Sequence, residues 1–281
     1  MSQDGILLVY KEKGLTSFDL VNRIKRNLKL EKIGHTGTLD PNAEGLMVVL
    51  FNQTTKANQF LVHDTKEYIA SLRLGIKTDT KDIWGTILEE KSAEMPSEAQ
   101  IKAVFNQFLG TQQQEVPMVS AVRVNGKRLH EYHREGLEVI QPIRDVEIFE
   151  LELLKINQDI HFRVVCGSGT YIRSLCEDIA AQLGTVGAMA SLTRTKVGSF
   201  DLKDAVKYDQ VIAGKYKLIP LAEGLPYKKV QTESVVDIKN GKILVLEYQG
   251  PMITIMDQDE VLAVYGWNEK KNAYASVRGL W

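Results

Sequence analysis

The chain has 281 residues, and its 44% hydrophobic and 25% charged content is typical of a soluble globular protein with a substantial core. Lysine and arginine number 35 against 36 acidic residues, so the net charge of −1 indicates no class of partner. The two cysteines form no CxxC pair, which argues against a disulfide framework and a structural zinc site. Without a signal peptide or an apolar run long enough to cross a bilayer, we expect a cytoplasmic protein.

The first half of the chain predicts strands and helices in mixed order. ILLVY, at residues 6–10, is typical of a short buried strand, and Thr16 and Asp19 have the spacing of a helix cap. GLMVVLF predicts a second buried strand, and YIASLRLG predicts a strand with Tyr68 on one face. SEAQIKAVFNQFLG then predicts a helix that Gly110 ends.

The middle of the chain continues this mixture. SAVRVNGKRLHEYHREG predicts a strand, a turn at Asn125-Gly126 and a helix, and VEIFELELLKI and IHFRVVC predict two more strands. CGSGT then leads into a helix that ends at Gly184. Because strands and helices do not alternate regularly, we predict an α+β fold with a mixed or antiparallel sheet rather than a doubly wound fold.

The last part of the chain has a different character. PLAEGLP, at residues 220–226, is typical of a linker, and the segment after it reads as short strands separated by turns. Such a pattern favours a small β-barrel or sandwich. We therefore predict a main domain over residues 1–222 and a small β-rich domain over residues 227–281.

Basic residues are concentrated in two places despite the neutral overall charge. Residues 123–134 contain four arginines and lysines and two histidines against a single acid, Glu131, and the first predicted helix carries four more basic residues. Each cluster alone is more commonly a solvated helix face. Local basic patches on a neutral protein also suit a polyanion bound in one groove. Both interpretations stay open on this pattern.

The stretch IGHTGTLDPNAEGLMV, at residues 33–48, places an aspartate among glycines directly before an apolar run. One interpretation is a tight turn, because Gly34, Gly37 and Gly45 supply unusual backbone angles and the Asp-Pro pair initiates turns. The other is a catalytic loop that holds Asp40 as a nucleophile or base. On the pattern alone, the turn is favoured.

Other candidate motifs are weaker. CGSGTYIR has neither the GxGxxG nor the P-loop spacing, and TGTLD lacks the upstream carboxylate of an aspartyl-phosphate phosphatase loop. What remains is Asp40, a strand tyrosine at Tyr68 and an arginine that opens a helix at Arg173. An arginine stabilises an ionised carboxylate, which can then act as a nucleophile without a metal or cofactor. We therefore expect no metal and no cofactor.

Five segments, in chain order, resemble the TruB family of tRNA pseudouridine-55 synthases. KIGHTGTLDPNAEGLMVVL resembles the catalytic motif of that family nearly residue for residue. The other four are YIASLRLGIKTDTKDIWG, VPMVSAVRVNGKRLHEYHREG, CGSGTYIRSLCEDIAAQLG and SLTRTKVGSF. The C-terminal segment resembles a small PUA-type RNA-binding domain. The chain departs from the family pattern KPxGxTS in having Glu12 in place of the proline, which we expect to alter a loop near the RNA rather than the chemistry.

The resemblance implies an activity: the T-loop uridine 55 of tRNA is flipped out and isomerised to pseudouridine, by a monomer and without a cofactor. It implies that Asp40 is the nucleophile, that Tyr68 packs against the target base and that Arg173 pairs with Asp40. Whether Asp40 attacks the uracil ring or the ribose C1′ stays open. The alternative is a non-catalytic RNA-binding or RNA-chaperone protein with the same fold. The intact catalytic set argues against that alternative.

The resemblance also implies a set of residues that bind the RNA. Tyr171 and Leu192 would bracket the target base, and His35 would enter the RNA loop and help to hold the flipped nucleotide. Phosphate contacts are implied for side chains that share a positive charge, namely Lys11, Lys56, Arg123, Lys127 and Arg128.

Overall fold

The computed structural model describes residues 4–61, 65–248 and 250–281. The described residues divide into two compact units. The first unit lies within Met1–Pro41, Gly45–His63 and Ser199–Trp281, and the second lies within Asn42–Glu44 and Asp64–Gly198.

The helices of the described chain are mostly short. They are α1 (Ser17–Asn27), α2 (Asn58–Leu61), α3 (Glu98–Gln107), α4 (Leu129–Glu135), α5 (Ile172–Gln182), α6 (Tyr208–Ile212), α7 (Leu221–Gly224) and α8 (Val235–Lys239). Short 3₁₀ turns cover Asn52–Ala57, Leu202–Asp204 and Glu269–Lys271. No helix among these residues is long and apolar enough to cross a membrane.

The strands are distributed along the whole chain. They are β1 (Gly5–Lys11), β2 (Ile33–His35), β3 (Glu44–Phe51), β4 (Lys66–Leu74), β5 (Ile76–Thr78), β6 (Ile87–Glu90), β7 (Gly110–Glu115), β8 (Arg123–Val124), β9 (Lys127–Arg128), β10 (Ile143–Ile156), β11 (Ile160–Cys166), β12 (Gly187–Val197), β13 (Phe200–Asp201), β14 (Lys228–Gln231), β15 (Met252–Asp257), β16 (Glu260–Asn268) and β17 (Ala273–Gly279).

The first unit is built on the antiparallel pair of β1 and β3, whose register runs from Gly5 opposite Phe51 to Lys11 opposite Gly45. Both strands are apolar runs buried along nearly their whole length, as expected for strands that are covered on both faces. The predicted cap of α1 is confirmed, because the Thr16 side chain accepts a hydrogen bond from the Asp19 amide.

The C-terminal part of the first unit is a four-stranded sheet in the order β14-β15-β16-β17, with β14 parallel to β15 and the other neighbours antiparallel. It has its own apolar cluster, formed by Ile238, Ile253, Ile255, Leu262, Ala263, Tyr265 and Tyr274. The prediction of strands alone is wrong for α8. That helix forms because Ser234 caps it and because Ile238 reaches the apolar cluster.

The segment predicted as a linker is ordered secondary structure. Leu221–Gly224 form α7, and Ala222 and Leu225 are buried. A Cβ atom at Gly224 would lie 2.4 Å from the Cδ1 atom of Ile6, so a larger residue would require this buried side chain to shift. The domain boundary itself stays a prediction.

The second unit contains an antiparallel sheet in the order β12-β4-β11-β10-β7. Helices α3 and α5 contribute their apolar faces to its core, where Phe105 of α3 makes an edge-to-face contact with Phe162 of β11 at 5.6 Å. The predicted α+β fold with mixed and antiparallel sheets is confirmed.

Two local predictions in the second unit have different outcomes. Asn125 and Gly126 both have positive φ, 51° and 83°, as a two-residue hairpin between β8 and β9 requires. Helix α3, however, ends at Gln107 with Phe108 as its C-cap, and Gly110 instead begins β7 with a φ of 86°. The positive φ at Gly110 is therefore used at the start of a strand, not at the end of the helix.

Candidate active site

The Asp40 loop connects β2 and β3, and its residues 36–41 lie in the first unit. Its backbone is fixed on both sides of Asp40. The Ser17 hydroxyl accepts from the Leu39 amide at 2.8 Å and donates to the Leu39 carbonyl at 2.9 Å, and the Pro41 carbonyl accepts from the Gly14 amide at 2.9 Å. Asp40 itself is half-buried. The loop therefore holds a carboxylate on a rigid backbone, which suits either of the two interpretations of the sequence.

The glycines in and beside this loop differ from the prediction. Gly45 has a φ of 113°, a backbone angle that favours glycine, but Gly34 and Gly37 have no positive φ. The expectation of unusual angles at all three glycines is therefore wrong for two of them. The loop backbone is held instead by Ser17, which sequence reasoning did not mark as a site residue although it is the last residue of the segment that corresponds to the family pattern KPxGxTS.

Lys11 and Lys56, both predicted to contact phosphate, make hydrogen bonds within the first unit. Lys11 is completely buried, and its ammonium donates to the carbonyls of Glu12 at 3.2 Å and Pro41 at 3.1 Å. Lys56 donates to the backbone oxygen of Trp281. The structure thus assigns Lys11 to supporting the turn after Asp40, and phosphate contact by either lysine stays a prediction.

His35 is the last residue of β2, where it pairs with Val49 of β3 and is half-buried. It precedes the Asp40 loop directly. Its predicted entry into the RNA loop stays a prediction.

Tyr68 and Leu192 lie on neighbouring strands of the second unit and are both buried. Tyr68 in β4 is opposite Arg194 of β12, and Ala70 of β4 is opposite Leu192. Because alternate residues of a strand share a face, Tyr68 and Leu192 lie on the same face of the sheet. Arg194, only 1% exposed, lies on that face too, and sequence reasoning missed it.

Arg173 lies in the first turn of α5 and is only 4% exposed. Its two terminal nitrogens donate to the carbonyls of Thr80 at 2.9 Å and Val119 at 2.8 Å. An arginine near a helix start is usually solvated, so this burial is a specific feature of the fold. Tyr171, the N-cap residue of α5, is half-buried, and its amide donates to the Gln114 side chain at 2.7 Å.

The predicted basic patch lies on the β8–β9 hairpin and α4. Arg123 and Arg128 are exposed. Lys127 is ion-paired with Glu135 and lies over the Tyr132 ring, 4.9 Å from its centre. Part of the Lys127 charge is thus neutralised within the protein, by an acid just outside the segment considered in the sequence.

Titratable groups near α5 form a second charged cluster. Lys81 is ion-paired with Glu177 at 2.6 Å and with Glu115 at 3.3 Å. Burial raises the pKa of Asp178 to about 6, with Lys81 opposing the rise and the two glutamates adding to it. The described residues contain no group of three or more His, Cys, Asp or Glu side chains arranged to hold a metal ion.

The two cysteines have the properties of inert core residues. Cys166 and Cys176 are both buried and free. Burial raises the pKa of the Cys166 thiol to about 11 and raises that of Cys176 as well. Because the thiolate is the reactive form, neither cysteine is suited to act as a nucleophile near neutral pH.

Comparison with solved structures identifies the fold. The chain is similar to a chain in the crystal structure of a Cbf5-Nop10-Gar1 complex, with a TM-score of 0.74, 25% identity and coverage of 99% of this chain and 85% of that one. A structure of an H/ACA RNP bound to a substrate RNA containing 2′-deoxyuridine gives a TM-score of 0.72 at 23% identity, with the same coverage.

Comparison with sequences identifies the class and then the family. Residues 25–172 match the N-terminal domain of TruB family pseudouridylate synthases, and residues 173–219 match the C-terminal domain of tRNA pseudouridylate synthase B. These matches define the class as pseudouridylate synthases, and within that class the chain belongs to the TruB family.

Two curated relatives match most of the chain, and both are named tRNA pseudouridine synthase B. The protein of Oceanobacillus iheyensis is 40% identical, covering 93% of this chain and 92% of that protein. The protein of Geobacillus thermodenitrificans is 38% identical, covering 93% and 94%. The similarity thus extends well beyond the catalytic motif.

Proposed function

We propose that this protein isomerises uridine 55 in the T-loop of tRNA to pseudouridine, with Asp40 as the nucleophile. The observation that carries the proposal is the intact Asp40 loop in a chain that matches a relative named tRNA pseudouridine synthase B over 93% of its length. The rival, a non-catalytic RNA-binding protein, gives no reason to keep Asp40, Tyr68 and Arg173 together.

The reaction rearranges one nucleotide without a net loss of atoms. The bond from ribose C1′ to N1 of uracil breaks, the ring turns, C1′ bonds to C5, and the proton from C5 is replaced by one on N1. Asp40 supplies the attacking carboxylate, on the uracil ring or on C1′, and Arg173 is its ion-pair partner. No step in this sequence calls for a metal or an electron carrier.

The substrate uridine has to leave its stack before the carboxylate can reach it. Base flipping costs a few kcal/mol, which stacking and phosphate contacts offset. Tyr68 packs against the base, Tyr171 and Leu192 bracket it, and His35 enters the RNA loop. The phosphates of the T-arm are contacted by the exposed side chains of Arg123 and Arg128. The further predicted phosphate contacts are those of Lys11, Lys56 and Lys127.

The proposal also includes the role of the C-terminal residues, the oligomeric state and the cellular location of the protein. Residues 227–281 act as a PUA-like RNA-binding domain, and the protein works as a monomer in the cytoplasm. Light scattering of the purified protein with and without tRNA measures the oligomeric state.

The test of the function is a single-turnover assay with an unmodified T-arm stem-loop. We expect Asp40→Asn to abolish pseudouridine formation while RNA binding stays within about threefold, because affinity comes mainly from phosphates and stacking. Arg173→Lys should give a milder loss, since lysine keeps the charge but not the planar fork. The exposed Asp204→Asn is the matched control and should behave as wild type.

A different result would support the turn interpretation of the Asp40 loop. Asparagine caps turns about as well as aspartate. Activity of Asp40→Asn within about tenfold of wild type would therefore remove Asp40 as the nucleophile.

A further inference from the structure

The N-terminus of α5 carries two residues of the proposed site, Tyr171 and Arg173, yet it lacks an ordinary cap. The first four amides of a helix have no partner within the helix and usually bind a Ser, Thr, Asp or Asn side chain at the N-cap. Here the N-cap is Tyr171, and its side chain makes no capping hydrogen bond. Residues outside α5 therefore have to fix its first turn.

Two consecutive residues of β7 hold the first turn of α5. The Gln114 side-chain oxygen accepts from the Tyr171 amide at 2.7 Å, and the Glu115 carbonyl accepts from the Ser174 hydroxyl at 2.9 Å. In a capping box, the third helical residue binds back to the N-cap amide. In α5 that residue is Ser174, whose hydroxyl binds β7 instead. The acceptor for the Tyr171 amide is Gln114, which lies 57 positions earlier in the chain.

The hydrogen bond to the Tyr171 amide requires a polar side chain at Gln114, whereas the position of this residue in β7 does not. Gln112, Gln113 and Gln114 follow one another in β7, but of these only Gln114 is buried, at 3% exposure. Gln113 is exposed, and Gln112 donates to the carbonyls of Gln107 and Leu109, which precede the strand. A buried amide is unfavourable unless it is hydrogen-bonded, and an apolar side chain would fill the same space.

We propose that Gln114 is a positioning residue of the reaction: by binding the Tyr171 amide, it fixes the first turn of α5 and with it the side chains of Tyr171 and Arg173. The inference rests on the proposed function. Arg173 meets the carbonyls of Thr80 and Val119 at 2.9 and 2.8 Å, so its Cα has to stay where both bonds can form. A small rotation of this turn changes the orientation of the guanidinium, and misplacement by about 1 Å can cost about 100-fold in rate.

The test compares side chains of similar size that differ in the acceptor. Gln114→Met removes the acceptor, Gln114→Asn keeps the amide but shortens the side chain by one methylene, and Gln114→Glu keeps both length and acceptor. Gln113→Met, on the exposed neighbour, is the matched control. The readouts are the single-turnover rate at saturating T-arm RNA, the RNA dissociation constant and the hydrogen exchange of the Tyr171 amide.

We expect Gln114→Met and Gln114→Asn to lower the single-turnover rate by about tenfold or more, with the dissociation constant changed by less than about threefold. The Tyr171 amide should exchange faster in both variants. Gln114→Glu should restore the rate to within about threefold of wild type and protect the amide, because a carboxylate is a favourable acceptor at a helix N-terminus. Gln113→Met should match wild type in all three readouts.

Three results would overturn the inference. One is a wild-type rate in Gln114→Asn or in a folded Gln114→Met. The second is an equal loss of rate in Gln114→Glu and Gln114→Asn, which would show that the acceptor is not what matters. The third is a wild-type protein that forms no pseudouridine, which removes the proposed function and this inference together, whereas the first two leave the proposed function intact.

Discussion

Single buried charges show how this fold uses polar side chains in its interior. Lys11 and Arg173 are both nearly inaccessible. Lys11 donates to the carbonyl of Pro41, next to Asp40, and Arg173 donates to the carbonyls of Thr80 and Val119. Burying a cation is unfavourable unless it is hydrogen-bonded, so these carbonyls stabilise the charge while the charge fixes the loops. Buried cations, and not apolar contacts alone, therefore hold these loop carbonyls in place.

Asp178 in α5 is a buried acid whose contribution to stability depends on pH. Its pKa in the folded chain is about 6 against a reference value of 3.8, so the folded chain binds the proton more tightly than the unfolded chain does. The contribution of Asp178 to stability is therefore most favourable below about pH 4, falls as the pH rises from about 4 to about 6, and is constant above that. At neutral pH the ionised side chain is a net cost.

We expect Asp178→Asn to stabilise the protein at pH 7 by roughly 1 kcal/mol, a value reduced for solvent screening, and to lose this advantage below about pH 4. Thermal unfolding from pH 4 to pH 8 measures the difference. Asp145→Asn, on an exposed position of β10, should show no such dependence. A difference between wild type and Asp178→Asn that is constant over this range would contradict the assignment.

The β8–β9 hairpin and α4 together carry the residues of the basic patch. The hairpin closes through Asn125 and Gly126, and α4 is fastened to other parts of the second unit by side chains of its histidines. His130 contacts the Ser120 carbonyl at 2.9 Å, and His133 contacts the Asp79 carboxylate at 3.0 Å. These two histidine contacts therefore attach the element that carries the exposed arginines to the rest of the second unit.

Because Lys127 is ion-paired within the protein, we expect Lys127 and Arg128 to contribute unequally to RNA binding. We expect Arg128→Gln to weaken T-arm binding more than Lys127→Gln, because Glu135 already neutralises Lys127. Replacing Arg123, Lys127 and Arg128 together should weaken binding further and lower the salt dependence of log K by roughly 1 per lost phosphate contact. Binding titrations at several salt concentrations measure both effects.

Lys102→Gln, on the exposed side of α3, is the matched control and should leave binding unchanged. An affinity that does not change between low and moderate salt would remove the argument for a basic patch.

At the level of the whole molecule, residues 227–281 form a sheet with an apolar cluster of its own. They also reach other parts of the first unit, where the Trp281 backbone oxygen accepts from Lys56. An independent core favours folding as a separate domain, and the contacts with the rest of the unit favour a fixed position for it.

We expect removal of residues 227–281 to leave a folded and partly active protein that binds tRNA more weakly. Circular dichroism and thermal unfolding test the fold, and the single-turnover assay at saturating RNA tests the chemistry. Full-length Asp40→Asn serves as the inactive, RNA-binding reference. An unfolded truncated protein would show that the segment belongs to the catalytic core and that the predicted boundary is wrong.

The sequence by itself determined the features that depend on local pattern. The apolar runs of β1 and β3, the Thr16 cap of α1 and the Asn125-Gly126 hairpin were all predicted, because each depends on residues within a few positions of one another. Five segments in chain order, among them the motif around Asp40, suggested the family, which the sequence matches show.

Only the tertiary structure decided the contacts that join distant parts of the chain. Ser17 holds Leu39 across 22 positions, Gln114 holds Tyr171 across 57, and Arg173 reaches Thr80 across 93. Local propensity contains no information on such pairs, because a hydroxyl, an amide or a guanidinium binds whichever group the fold brings within about 3 Å. For the same reason the burial of Lys11 and the absence of a positive φ at Gly34 and Gly37 could not be predicted from residue type.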